Sequence, residues 1–161
     1  NLVSVLDGGL KKWKIENKFL SKEKVSLPKT NYKAKVKDNL VINLDQVEKN
    51  IEKEEFCLVD ARGENRFKGL VEEPRKNLKK GNIKGSKNLP FSKIINSENN
   101  TFKKKAELEK IFINHGINPN EQLAFSCGSG ITACVLGLAN TIINNKLPVI
   151  YDGSWAEYGL K

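Results

Sequence analysis

The run Leu123-Ala124-Phe125-Ser126, followed by Cys127-Gly128-Ser129-Gly130-Ile131-Thr132 and then the apolar stretch Ala133 to Ala139, constrains this chain more than any other feature. A continuous apolar run ends in a cysteine, two glycines break the pattern, and a buried helix is predicted to follow at once. Cys127 therefore falls in a tight loop between a strand end and a helix N-terminus. Loop N–H groups and the positive end of the helix dipole converge on a sulfur placed there. Such surroundings take a cysteine pKa from about 8.5 down to roughly 3.5–7.5. A buried structural cysteine is the commoner fate of this residue type, but this placement points to a nucleophile.

The same alternation of strand and helix extends along the chain. Leu40-Val41-Ile42 leads to Asn43, a predicted N-cap for a helix through Leu44, Val47 and Ile51. Phe56 to Asp60 reads as a buried strand, and residues 68 to 86 as a loop punctuated by Gly69, Pro74, Gly81 and Gly85. Asn88-Leu89-Pro90-Phe91 predicts a short strand entering a helical turn. Lys104 to His115 is amphipathic through Leu108, Ile111 and Phe112, with Gly116 as its stop. Pro148 to Tyr151 is a last strand. Strands that are continuous apolar runs, alternating with helices, predict an α/β fold with a parallel sheet covered on both faces. In such folds ligands bind at the carboxyl ends of the strands, where Asp60-Ala61-Arg62 and Cys127 both lie.

Two distant passages share one grammar. Val3-Ser4-Val5-Leu6, Asp7-Gly8-Gly9 and a helix carrying Trp13 parallel Pro148 to Tyr151, Asp152-Gly153 and a helix carrying Trp155. Strand, Asp-Gly turn and tryptophan together suggest an internal duplication, with the first copy represented only by its tail. A lysine-rich stretch with Pro28 separates that tail from the rest and reads as a linker. The sequence contains no methionine, so Asn1 is not expected to be a translation start, and the chain is expected to be part of something longer.

Charge narrows the candidate chemistry. The net charge of +9 comes from 28 basic residues, of which only Arg62, Arg66 and Arg75 are arginine. The lysines are spread with little aromatic interleaving, which reads as a solvated surface with a bias toward anions; no nucleic-acid motif accompanies them. A guanidinium grips a carboxylate through two parallel hydrogen bonds, which lysine cannot do. Arg62 is expected to be structural, paired with a carboxylate among Asp60, Glu64, Glu72 and Glu73, and the other two arginines to face an anionic ligand. No run approaches the roughly 18–20 apolar residues of a membrane-spanning helix, and no membrane partner is expected. Cysteines at 57, 127 and 134 make no disulfide framework and suit a reducing, cytoplasmic compartment.

Several chemistries drop out. Gly128-Ser129-Gly130 lacks the lysine of a phosphate-binding P-loop. Ala133 stands where a cysteine phosphatase needs an arginine. His115 is the only histidine and no cysteine pair has ligand spacing, so neither a metal nor another cofactor is expected; His115 is expected to be structural at a helix C-terminus. Cys57 and Cys134 are expected to be packing residues. What remains is sulfur chemistry: a thiolate attacking a donor sulfur and holding it as a persulfide, with loop N–H groups stabilising the charge.

Val59-Asp60-Ala61-Arg62, Arg66-Phe67-Lys68-Gly69, Glu73-Pro74-Arg75, Asn88-Leu89-Pro90-Phe91, Cys127 to Cys134 and Tyr151-Asp152-Gly153-Ser154-Trp155 occur in this order. Together they resemble the catalytic C-terminal domain of the two-domain rhodanese family, within it the 3-mercaptopyruvate sulfurtransferases. The resemblance implies a rhodanese-like α/β fold with residues 39–161 as the catalytic domain, 21–38 as linker, and 1–20 as the closing segment of a missing N-terminal rhodanese domain. It implies Cys127 as nucleophile, Ser129 as its aid in proton handling, and Arg66 and Arg75 on the carboxylate and keto group of 3-mercaptopyruvate. Gly128, Gly130, Ile131 and Thr132 complete the substrate-binding set. The products would be pyruvate and a Cys127 persulfide, with cyanide or a thiol, such as that of a thioredoxin-like protein, as acceptor. Thiosulfate-using members carry basic side chains directly after the cysteine; Gly128 and Ser129 are uncharged here. Thiosulfate sulfurtransferase, and a persulfide-carrying interaction module without turnover, are the alternatives. The chain has Gly81-Asn82-Ile83-Lys84-Gly85 where the family commonly has Gly-His-Ile-Pro-Gly, which implies altered loop packing.

Overall fold

The computed structural model describes residues 3–160; residues 1, 2 and 161 of the expected segments lie outside them. In chain order the elements are α1 (Gly9–Ile15), β1 (Val41–Ile42), α2 (Leu44–Lys53), β2 (Cys57–Asp60), α3 (Glu64–Phe67), β3 (Lys87–Asn88), α4 (Lys105–Asn114), β4 (Leu123–Ser126), α5 (Ile131–Asn144), β5 (Val149–Tyr151) and α6 (Ser154–Tyr158). A 3₁₀ turn, Phe91–Ile94, follows β3.

The five strands form one sheet in the order β1-β5-β4-β2-β3, and every pairing is parallel. Side chains alternate across it. Val59 and Phe125 enter one core with Leu108, Phe112 and Leu136, while Leu58, Ala124 and Tyr151 enter a second with Val47 and Trp155. Thus α4 and α5 cover one face, α2 and α6 the other, as the continuous apolar strands predict. Phe112 and Phe125 are wholly buried, and truncating either to alanine costs about 3–5 kcal/mol. Local signals hold as well. Asn43 and Gln46 form a reciprocal capping box at the start of α2, a device worth about 1 kcal/mol. Gly116, at φ +71, ends the α4 segment.

Two expectations are corrected. Val3 to Leu6 is not a strand: among the described residues it pairs with no strand, and Val3 and Val5 are largely exposed. An apolar run forms a strand only where another edge satisfies its backbone. Cys134 is exposed rather than packed. The helix α5 is apolar nearly all round, so its sequence does not say which side faces out; Ala133, Leu136, Ala139 and Ile143 point in, and Ile131 and Cys134 point out. Residues 21–37 carry no regular structure and are exposed.

The chain leaves β2 toward β3 on one side of the sheet and leaves β4 toward β5 on the other. Adjacent strands with opposed exits leave a crevice at their carboxyl ends. The Asp60-Ala61-Arg62 and Cys127 loops open there, joined by the Ala61 N–H donating to Ser126 O at 2.8 Å.

Candidate active site

Cys127 directly follows β4, and its loop closes on Gly130, the N-cap of α5 at φ +79. A Cβ at Gly130 would stand 2.9 Å from Asp152 Oδ1 and 3.1 Å from Asp152 O, so both conformation and space demand glycine. The loop is held from behind by the start of α6. The Cys127 and Gly130 N–H groups donate to the buried Ser154 Oγ at 3.1 and 3.0 Å, and that hydroxyl donates to Tyr151 O at 2.8 Å. Trp155 N–H donates to Cys127 O and Ala156 N–H to Gly128 O, each at 2.9 Å.

With those groups engaged behind the loop, the remaining donors meet the sulfur. The Ser129 N–H lies 3.4 Å from Sγ. Burial pushes the Cys127 thiol up, but the Thr132 hydroxyl and the N–H groups of Ser129, Ala133 and Thr132 outweigh it and hold the pKa below the ordinary thiol value. The thiolate is the nucleophilic form of cysteine.

Facing the loop is a cleft of about 310 Å³ lined by Cys127, Gly128, Ser129, Ile131 and Thr132 on one side and Arg66, Glu73, Pro74, Arg75 and Leu78 on the other. Every site residue predicted from sequence lines it except Gly130, which is buried and turned toward Ser154. Arg75 is exposed, while Arg66 leans over the loop, its Nη2 3.1 Å from where a Gly128 Cβ would be.

Arg62 is structural, as expected. Its side chain is 1% exposed, bonds Asp60 (Nη2–Oδ2 2.7 Å), Glu73 (Nη1–Oε1 2.9 Å) and Gly81 O (2.8 Å), and stacks 4.3 Å from the Trp155 ring centre. His115 also acts locally, its Nδ1 lying 2.9 Å from Ile111 O at the end of α4. In the altered turn Gly81–Gly85, Asn82 Nδ2 donates to Phe67 O at 3.0 Å and Ile83 is buried. That bond ties the turn to the end of α3 without touching Cys127. Sequence reasoning offers Glu73 only as one of four carboxylates for Arg62, marks Trp155 only as part of a repeated pattern, and does not single out Ser154, although each lies in a quoted motif. Their roles depend on contacts across the fold that no local pattern carries.

A rhodanese-like domain model matches residues 43–161. The chain belongs to the rhodanese-like domain family. It is 37% identical to thiosulfate/3-mercaptopyruvate sulfurtransferase 2 of Arabidopsis thaliana, an alignment covering 97% of this chain and 52% of the relative. To the 3-mercaptopyruvate sulfurtransferase of Escherichia coli K12 it is 32% identical, over 99% of this chain and 56% of the relative. Thiosulfate sulfurtransferase of Rattus norvegicus is 33% identical, with 97% and 52% covered. A crystal structure of the Escherichia coli 3-mercaptopyruvate sulfotransferase superposes with a TM-score of 0.81 at 30% identity, covering 96% of this chain and 57% of that one. The rhodanese chain thus spans about half the length of the curated relatives it matches.

Proposed function

We propose that this rhodanese domain is the sulfur-carrying part of a 3-mercaptopyruvate sulfurtransferase. The observation that carries the reading is Cys127, its sulfur met by the Ser129 N–H, at the wall of a cleft whose opposite wall bears Arg66 and Arg75. The Cys127 thiolate attacks the donor's sulfur and the donor C3–S bond breaks. Its electron pair passes to C3, which takes up the proton that the donor thiol carried. The products are pyruvate and the Cys127 persulfide. Ser129, on the same wall, conveys that proton, and the arginines hold the carboxylate and keto group. Loop N–H groups stabilise the anionic sulfur at each stage. Cyanide or a second thiol, such as that of a thioredoxin-like protein, then removes the outer sulfur and returns the thiolate.

The relatives are about twice as long, which supports a missing N-terminal rhodanese-like half completing the substrate pocket. A reducing, cytoplasmic setting suits three free thiols. Thiosulfate is the second donor to weigh, because a thiosulfate sulfurtransferase is among the relatives; the absence of a basic side chain at Gly128 and Ser129 favours mercaptopyruvate.

Intact mass spectrometry after incubation with each donor tests this. A gain of one sulfur with 3-mercaptopyruvate, pyruvate release, and no gain in Cys127→Ser is the expected outcome. A persulfide from thiosulfate alone would transfer the assignment to the other donor, and no adduct in the full-length protein would end it.

A further inference from the structure

Arg66 is the more enclosed of the two cleft arginines, yet 30% of its side chain is still exposed, and a side chain so placed does not hold one orientation unaided. It does not stand alone. Glu73, whose side chain is 2% exposed, receives Arg66 Nη2 on Oε2 at 2.5 Å and Arg66 Nε on Oε1 at 3.3 Å. The same Oε1 accepts Arg62 Nη1 at 2.9 Å. Arg62 is buried and held by Asp60, Gly81 O and the Trp155 ring. A continuous line of contacts therefore runs from the end of β2 through Arg62 and Glu73 to Arg66, and ends against Gly128 beside the nucleophile.

The geometry of the last link decides what this line does. A guanidinium offers five N–H donors on two usable edges. Glu73 takes the edge formed by Nε and Nη2. None of the Arg66 hydrogen bonds among the described residues uses Nη1, so the edge formed by Nη1 and the second Nη2 hydrogen is left for a two-point grip on a carboxylate. Resting on the sulfurtransferase assignment above, we propose that Glu73 is the positioning residue for the donor's carboxylate: it grips the inner edge of Arg66 so that the outer edge meets the substrate. Glu73 touches no reacting atom and acts only through Arg66.

Two alkylating probes of similar size, anionic iodoacetate and neutral iodoacetamide, report this independently of turnover in the full-length protein. The ratio of their rates at Cys127 measures how well the cleft positions a carboxylate. Glu73→Gln is expected to lower that ratio about tenfold, the loss of roughly one charge-assisted hydrogen bond, and to raise the KM for 3-mercaptopyruvate about as much while kcat changes far less. Arg66→Met lowers the ratio too, and adding Glu73→Gln to it lowers it no further. Glu73→Asp, which keeps the charge but shortens the reach, gives an intermediate ratio and serves as the test if Glu73→Gln does not fold. An unchanged ratio in the folded Glu73 variants, or an equal further fall in the Arg66→Met background, overturns the proposal. If 3-mercaptopyruvate never persulfidates the wild type, the donor assignment fails while the ratio still tests Glu73.

Discussion

Cys57 and Cys127 lie at opposite ends of neighbouring parallel strands, and their thiols are displaced in opposite directions. Cys57 opens β2, next to the first residue of β4; Cys127 follows the last. At the opening end, burial dominates and raises the Cys57 pKa, with Lys87 lowering and Glu121 raising it by lesser amounts. At the closing end burial acts in the same sense on Cys127, yet the hydroxyl of Thr132 and the N–H groups of the loop and first turn of α5 reverse it. Residue type is shared, and the deeper burial of Cys127 acts against the difference, so neither explains it. Chain direction does. In a parallel sheet every strand leads into a helix start at one end only, and unengaged N–H groups collect there.

The comparison breaks most completely at the sulfur itself. Cys127→Ser is expected to abolish persulfide formation, and Cys57→Ser to leave it intact, as read by intact mass after donor treatment. Gly130→Ala comes next. It forces an L residue to φ +79 and against Asp152, displacing the donors; a destabilisation of about 1–3 kcal/mol in urea unfolding and a fall in alkylation rate at Cys127 are expected together. Thr132→Val removes one donor and leaves the loop in place. The midpoint of the iodoacetamide pH profile at Cys127 should then move up. In the unaltered protein the Cys127 profile rises at lower pH than that of Cys57, because the thiolate is favoured at one end and disfavoured at the other. The smallest effect belongs to Cys57→Ser on stability, a change in Tm of about 2 °C or less. A Cys57 profile that rises first would undo the account.

Much of this was legible in the sequence because it is local. Phe125 and its neighbours announce a buried strand, the Gly128–Gly130 turn announces the loop, and Asn43 caps the helix it was assigned. Arg62 could be named as structural because four carboxylates stand near it in the chain, and Asp60, two residues away, is one of those it bonds. Glu73 is one of the four carboxylates offered to Arg62, but it stands 11 positions away beyond α3, and nothing in the sequence selects it over Glu64 or Glu72. Ser154 is harder still: serine after Asp-Gly reads as a turn, and only the fold brings its hydroxyl beneath Cys127. Val3 to Leu6 failed for the converse reason, since strand composition without a neighbouring edge does not make a strand. Cys134 failed because a helix apolar on most sides carries no mark of its outer face.

The clasp of Ser154, Trp155 and Ala156 on the cysteine loop also has a bearing on biosynthesis. Ser154 follows Cys127 by 27 residues, so a ribosome delivers the nucleophile well before the residues that shape its loop. Until α6 emerges and docks, the N–H groups of Cys127 and Gly130 have no fixed partner, and the thiol behaves as any cysteine on a nascent chain. The lowered thiol pKa is therefore a property of the folded domain and not of the cysteine loop by itself.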